Sequence, residues 1–436
     1  MARLSDLKLS QVLGRTFTGS FQLFFSARTD RDWRPEMNDS RKAVFTDRIA
    51  SERSTARDVA VRALKMRLET IAVHAGAEID STTGALAPPL HLSTTFEHGP
   101  AAEAIHEFLY IREKNPTQSR LEAALRDLEG GAAALVFSSG MAAAAALLQT
   151  LAPGSHVVFS DDIYIDVRNL VRDFLPMWRV ESTKEDLQDL QALEAAIRPN
   201  TKLVWIETPS NPLMKVLDIS AIADIAHQAG AQLVVDNTFA SPILQRPLAL
   251  RADVVLHSTT KYCGGHSDVQ GGCLVVKNRE LLDKLFHVRD ILGAVASPFN
   301  SWLILRGLRS LPCRMERHSE NAAVVAAALS VSPRVEAVYY PGLPSHPGHE
   351  VARRQMNHFG GMLSFLVRGG REEALRVASC VRLFVNATSL GGVESLIEHR
   401  ASSEGKASSA PQNLLRLSVG LEHPDDLVED LMQALG

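Results

Sequence analysis

Between residues 130 and 277, short runs of Val, Ile and Leu alternate with longer stretches of helical apolar spacing. The runs predict strands at 133–137, 156–160, 202–207, 232–236, 253–258 and 272–276. Apolar content that is continuous rather than alternating belongs to strands covered on both faces. Between them the spacing predicts helices at 142–149, 184–197 and 219–229, with Pro199-Asn200 and Gly230 marking helix ends. Strand and helix in alternation predict an α/β fold built on a mainly parallel sheet. After residue 312 the pattern changes to a helix at 316–329, strand-like 335–340, a second α/β region, a serine-rich loop at 401–410, a strand at 414–419 and a helix at 424–435. The chain therefore divides into an extension over 1–67, an arm over 68–125, a large domain over 126–311 and a small C-terminal domain over 312–436.

The extension has a different composition. Residues 29–67 are rich in Arg, Asp, Ser and Glu with few apolar positions, the signature of a flexible segment. Residues 1–28 carry Arg3, Lys8, Arg15 and Arg28 against Asp6, with Leu4, Leu7, Leu9, Val12 and Leu13 at helical spacing. That pattern is expected to be an organelle transit peptide, an extension without function or the product of an upstream start site.

With 436 residues, 45% of them hydrophobic, the chain buries a large core. A net charge of −4 favours neither nucleic acid nor an anionic membrane surface as a partner. No apolar run approaches the length of a transmembrane helix. Cys263, Cys273, Cys313 and Cys380 form no C-x-x-C pair, so a reduced, cytoplasmic setting is expected. His346-Pro347-Gly348-His349 has no evident third ligand, and no metal is expected.

Ligands of parallel sheets bind outside the carboxyl ends of the strands. The polar residues collect there: Ser138-Ser139-Gly140-Met141, Glu207-Thr208-Pro209-Ser210-Asn211, Asp236-Asn237-Thr238 and Ser258-Thr259-Thr260-Lys261. This set meets what pyridoxal 5'-phosphate (PLP) requires of a protein: a lysine for the aldehyde, an acid for the pyridine nitrogen, a cradle for the phosphate and a flat group against the ring. Lys261, at the mouth of an apolar sheet, is either the Schiff-base lysine, its neutral amine favoured by partial desolvation, or a solvated surface lysine, and the flanking hydroxyls and paired glycines favour the first. Ser258 and Thr260 offer hydroxyls to a phosphate. Gly140 and Met141 offer helix-start amides, or belong to an ordinary serine-capped helix. Asp236 either pairs with the ring nitrogen or caps a turn, Asn211 hydrogen-bonds the cofactor or shapes a turn, and Tyr164 stacks on the ring or sits at its rim. Arg416 either grips a substrate carboxylate or joins a salt bridge.

Taken together, these stretches resemble the Cys/Met-metabolism family of PLP enzymes, which includes cystathionine γ-synthase, cystathionine β- and γ-lyases and methionine γ-lyase. Further matching motifs are Gly264-Gly265-His266-Ser267-Asp268, Ser389-Leu390-Gly391-Gly392-Val393-Glu394-Ser395-Leu396 and Arg416-Leu417-Ser418-Val419-Gly420, and the likeness covers 68–436. The resemblance implies fold type I, the aspartate-aminotransferase-like architecture, and a homotetramer made as a dimer of dimers. It also implies that Tyr110 and Arg112, ahead of Asn115-Pro116-Thr117, reach the phosphate of a neighbouring subunit. Lys261 then doubles as the base at Cα, Tyr164 aids proton movement, and Ser389 and Thr388 border the substrate. The implied activity is trans-sulfuration on cystathionine or a related sulfur amino acid in cysteine or methionine metabolism, as a carbon–sulfur lyase or by γ-replacement on an O-acylhomoserine. A non-catalytic PLP-binding homologue and an aminotransferase are the competing readings.

Three stretches depart from the family pattern. Ile165-Asp166-Val167-Arg168 follows Tyr164 where Gly-Gly-Thr is common, Thr388 stands where many γ-acting members have Glu, and Arg400-Ala401-Ser402-Ser403-Glu404-Gly405 replaces Pro-Ala-x-Met-Thr-His.

Overall fold

The computed structural model describes residues 66–405 and 408–436. The 1–28 segment and residues 29–65 of the predicted extension lie outside them. Seven strands form the larger sheet: β1 (Ala133–Phe137), β2 (His156–Ser160), β3 (Glu181–Glu185), β4 (Thr201–Glu207), β5 (Gln232–Asp236), β6 (Val254–His257) and β7 (Gly272–Val276). Their order is β1-β7-β6-β5-β4-β2-β3. Only β7 runs against its neighbours; the other pairings are parallel.

Alternate residues of every strand but β3 enter two separate cores, as the pleat dictates. Val136, Val158, Val204, Ile206, Val235 and Val255 pack on one face. Leu135, Phe137, Val157, Phe159, Trp205, Val234 and Leu256 pack on the other. With both faces covered, period-two alternation disappears from the sequence and the runs read as uniformly apolar. Because β1, β2, β4, β5 and β6 share one direction, their carboxyl ends open at one edge of the sheet.

The edge strand β3 corrects the sequence reading. A helix is expected over 184–197, yet Glu181–Glu185 pairs with β2 and the helix is Leu190–Ala196, capped by Asp189. Glu-Ser-Thr-Lys-Glu is largely solvent-facing and carries no apolar pattern. Only its partner β2 makes it a strand.

The second sheet has the order β10-β11-β12-β9-β8. It comprises β8 (Val335–Tyr339), β9 (Met362–Val367), β10 (Val385–Asn386), β11 (Leu396–His399) and β12 (Leu414–Ser418). It is antiparallel apart from the short β10–β11 pairing. The helix Leu311–Ser330 joins the sheets and starts earlier than its predicted bound, with Pro in the first turn where no amide partner is lost. Leu311 and Met315 enter the core of the large sheet. Ala322, Val325, Ala326 and Leu329 enter that of the small one. Among the described residues no helix is long and apolar enough to cross a membrane.

Candidate active site

Lys261 leaves β6 through a tight turn in which its amide donates to the Ser258 carbonyl at 3.2 Å. Its side chain is half-buried, and desolvation, with Arg416 nearby, lowers the amine to about 8. The Lys261 Nζ donates to Ser389 Oγ at 2.6 Å. Ser389 holds a left-handed φ of 80°, which a residue with a Cβ adopts only when its surroundings over-determine it. Two contacts do so here: the Lys261 amine on its hydroxyl, and the Arg416 guanidinium on its carbonyl at 2.9 Å. Gly391, two residues on, completes the clamp. A Cβ there would lie 2.7 Å from the Tyr262 backbone nitrogen, so only glycine lets this loop press on the chain that carries Lys261. Thr388, just before it, is exposed.

Arg416 on β12 is buried, and burial lowers its guanidinium to about 10. It donates to Asn211 Oδ1 at 3.0 Å and to the carboxylate of Glu398, its register partner on β11. Asp236, at the end of β5, pairs in register with Glu207 at the end of β4. Burial pushes both carboxyls up, and the neighbouring Asp236 charge adds to the effect on Glu207. Asp236 Oδ1 accepts from the Thr238 amide at 3.0 Å and from its hydroxyl at 2.5 Å. Glu207 accepts from the Tyr164 amide at 2.7 Å, and Tyr164 opens the helix Ile165–Asp173. The Tyr164 hydroxyl donates to Asp166 at 2.7 Å and is raised to about 12, chiefly by burial and then by that carboxylate.

Ser258 donates its amide to Thr238 Oγ1 at 2.9 Å and lies against Gly140, where a Cβ would come within 2.9 Å of the serine Cβ. Ser139 caps the helix Gly140–Leu148 by accepting from the Ala142 amide. The Gly140 and Met141 amides therefore point out of the first turn without an intrahelical acceptor. Thr260 differs from expectation. Its hydroxyl both donates to the Gly271 carbonyl (3.1 Å) and accepts from the Gly271 amide (3.0 Å), so this structure commits it to the backbone.

Lys261, Ser389, Arg416, Asn211, Tyr164, Asp236, Ser258, Gly140 and Met141 thus converge. Tyr110 and Arg112 are not part of this hydrogen-bonded set. Tyr110 is exposed, with the Arg112 guanidinium 5.1 Å above its ring, and Arg112 pairs with Asp290 at 2.9 Å. Missed by sequence reasoning were Glu207, Glu398, Arg400 and Glu404, and the part Arg168 plays with them. Arg400 donates to Glu398 (3.1 Å) and Glu404 (2.7 Å), and Glu404 also meets Arg168 at 3.3 Å. The Cys263 thiol is raised to about 12 by burial, which leaves it inert. His346 and His349 make local hydrogen bonds with Gly348 and Pro341.

Among the described residues, a desolvated amine, a buried carboxylate in no ion pair and helix-start amides without an intrahelical acceptor form a set that fits a cationic ring bearing an aldehyde and a phosphate. Residues 69–436 match the family described as Cys/Met metabolism PLP-dependent enzyme. The chain belongs to that family. This Cys/Met metabolism enzyme is PLP-dependent and acts on a small amino-acid substrate. A cystathionine gamma-synthase from Mycobacterium tuberculosis is 51% identical to it over 373 residues, 84% of this chain and 96% of that protein. Cystathionine gamma-lyase from Bacillus subtilis is 43% identical, over 85% of this chain and 99% of its own. The crystal structure of metB from Corynebacterium glutamicum superposes with a TM-score of 0.83 at 44% identity, covering 85% of this chain and 98% of that one.

Proposed function

We propose that this enzyme carries out trans-sulfuration on cystathionine or a related sulfur amino acid, with Lys261 as both the cofactor's anchor and the base at Cα. The observation that carries the reading is the Lys261–Ser389–Arg416 connection, which ties an amine lowered by desolvation to a buried guanidinium. Replacement at the γ carbon is favoured over lyase chemistry, because the relatives at 51% identity are named cystathionine gamma-synthase.

PLP, when bound, supplies an electron sink for the charge left on Cα after proton removal. Asp236 is the carboxylate for its ring nitrogen, while Ser258 and the Gly140 and Met141 amides receive its phosphate. Arg416 holds the substrate α-carboxylate, and Asn211 orients that guanidinium. Lys261, neutral when freed, takes the Cα proton, and Ser389 Oγ fixes the direction of the amine lone pair. Tyr164, packed against the same site, moves a proton at the substrate side chain. Tyr110 and Arg112, exposed on the arm, serve a neighbouring copy in a homotetramer, and the enzyme works in the cytoplasm.

The pH dependence of cofactor attachment follows from Lys261. Only the neutral amine attacks an aldehyde, so attachment of PLP to the apoprotein should speed up about tenfold per pH unit and level off above about 8. Stopped-flow absorbance across pH 6–10 measures it. A rate still climbing steeply at pH 10 would mean that the amine is not desolvated.

A substrate panel tests the reaction. With O-acylhomoserine and cysteine, a γ-synthase gives cystathionine and the free acid. With cystathionine and water, a β-lyase gives homocysteine, pyruvate and ammonia, and a γ-lyase gives cysteine, 2-oxobutyrate and ammonia. Cystathionine formation is expected to dominate, and turnover of none of these would overturn the proposal.

A further inference from the structure

Arg416 does not meet Glu398 alone. The Glu398 Oε2 that accepts from Arg416 also accepts from Arg400 at 3.1 Å. Arg400 goes on to Glu404 Oε1 at 2.7 Å, and Glu404 Oε2 meets Arg168 at 3.3 Å. Signs alternate along this line, with three guanidiniums and two carboxylates. The side chains of Arg416, Glu398, Arg400 and Glu404 are at most 6% exposed. The Nε atoms of Arg168, Arg400 and Arg416 and Oε1 of Glu398 have no hydrogen-bond partner.

Charge decides what this line does. Glu398, opposite Arg416 in the sheet register, would by itself cancel the charge that a substrate carboxylate needs. In a buried site such cancellation is only partly screened. Sharing Glu398 with Arg400 leaves the line with one positive charge in excess, and the incoming carboxylate makes it neutral. Glu404 and Arg168 then fix Arg400 without changing that balance. Arg168 and the 400–405 segment are two of the places where the sequence departs from its family, and the Arg168–Glu404 contact joins them into one unit.

We propose that Arg400 is a positioning residue that offsets Glu398 and so keeps Arg416 available for the substrate carboxylate, with the Arg168–Glu404 pair holding Arg400 in place. This rests on Arg416 being the carboxylate anchor. The test uses holoenzyme carrying Arg416→Lys, Arg400→Lys, Arg400→Gln or Glu398→Gln/Arg400→Gln. It reads kcat, KM, and the inhibition constant of alanine, an amino acid with the carboxylate but no leaving group. Arg400→Gln is expected to raise KM and the alanine constant about tenfold, the scale of one charge interaction in a partly screened site, with kcat nearly unchanged. Arg400→Lys should stay near wild type. The double variant, which restores the excess charge, should recover most of the lost affinity. A merely structural role predicts the reverse, with the double variant as weak as Arg400→Gln or weaker, and that result overturns the proposal. So does an unchanged alanine constant in Arg400→Gln. If Arg400→Gln does not fold, the double variant against Arg400→Lys decides by the same measure. If Arg416→Lys leaves both constants unchanged, it is the anchoring role of Arg416 that fails.

Discussion

Lys261→Ala is expected to remove the visible absorbance of the bound cofactor and to lower turnover by at least about 10³-fold, the upper range of what one positioned base contributes. The alanine variant loses the covalent anchor, the proton acceptor at Cα and the partner of Ser389 Oγ in one change. Its fold should survive and even gain. Burial and Arg416 lower the Lys261 amine from its ordinary value of 10.5 to about 8. Between those values the unfolded chain still binds a proton that the folded chain has released, so wild-type stability rises with pH across that window. Below about pH 8 the penalty is complete. The melting temperature of apo Lys261→Ala should therefore exceed that of the wild-type apoprotein at pH 7, and the gap should close toward pH 10.5. A variant that keeps measurable turnover with its absorbance intact would show that another lysine carries the cofactor.

Asp236→Asn should cut cofactor affinity by about 10²-fold, consistent with the roughly 2–5 kcal/mol lost when one partner of a buried charge pair is removed. Asparagine keeps an oxygen for the Thr238 amide and hydroxyl, both of which bond Oδ1, so local geometry should hold. What disappears is negative charge in a buried place beside Glu207. Burial raises the Asp236 carboxyl, so folding favours its neutral form, and the ionised form costs stability as pH rises past the ordinary carboxylate range. The apo variant should consequently melt higher than the wild-type apoprotein at pH 7 and not at pH 3, while the holoenzyme loses kcat. Calorimetry on both forms, with cofactor titration, measures the opposed effects. Tight cofactor binding in the variant would remove Asp236 from the ring-nitrogen role. This is the stability given up for function at a prepared site.

The strands of the large sheet were legible because Val, Ile and Leu runs such as Leu233-Val234-Val235 have no other stable home. Direction was not, since β7 runs against its neighbours with a sequence indistinguishable in kind from theirs. The polar edge strand β3 escaped because nothing in Glu181–Glu185 marks it, and its pairing with β2 is a tertiary fact. In the site, residues at strand ends were legible from the topology of parallel sheets. Glu398, Arg400 and Glu404 were not, because their meaning lies in partners such as Arg168, 236 positions away from Glu404. Thr260 shows the other limit: its place in the motif is plain, while the backbone of Gly271 decides where its hydroxyl points.

The helix Leu311–Ser330 has its first turns in the core of the large sheet and its later turns in that of the small one. A single rigid rod rooted in two cores cannot act as a free hinge. Any swing of the small sheet drags Met315 through packed side chains, so large rotations of one sheet against the other are opposed. Evolution, for the same reason, cannot trade the small sheet as an independent cassette. A recombinant ending at this helix would have to carry both of its apolar faces or neither.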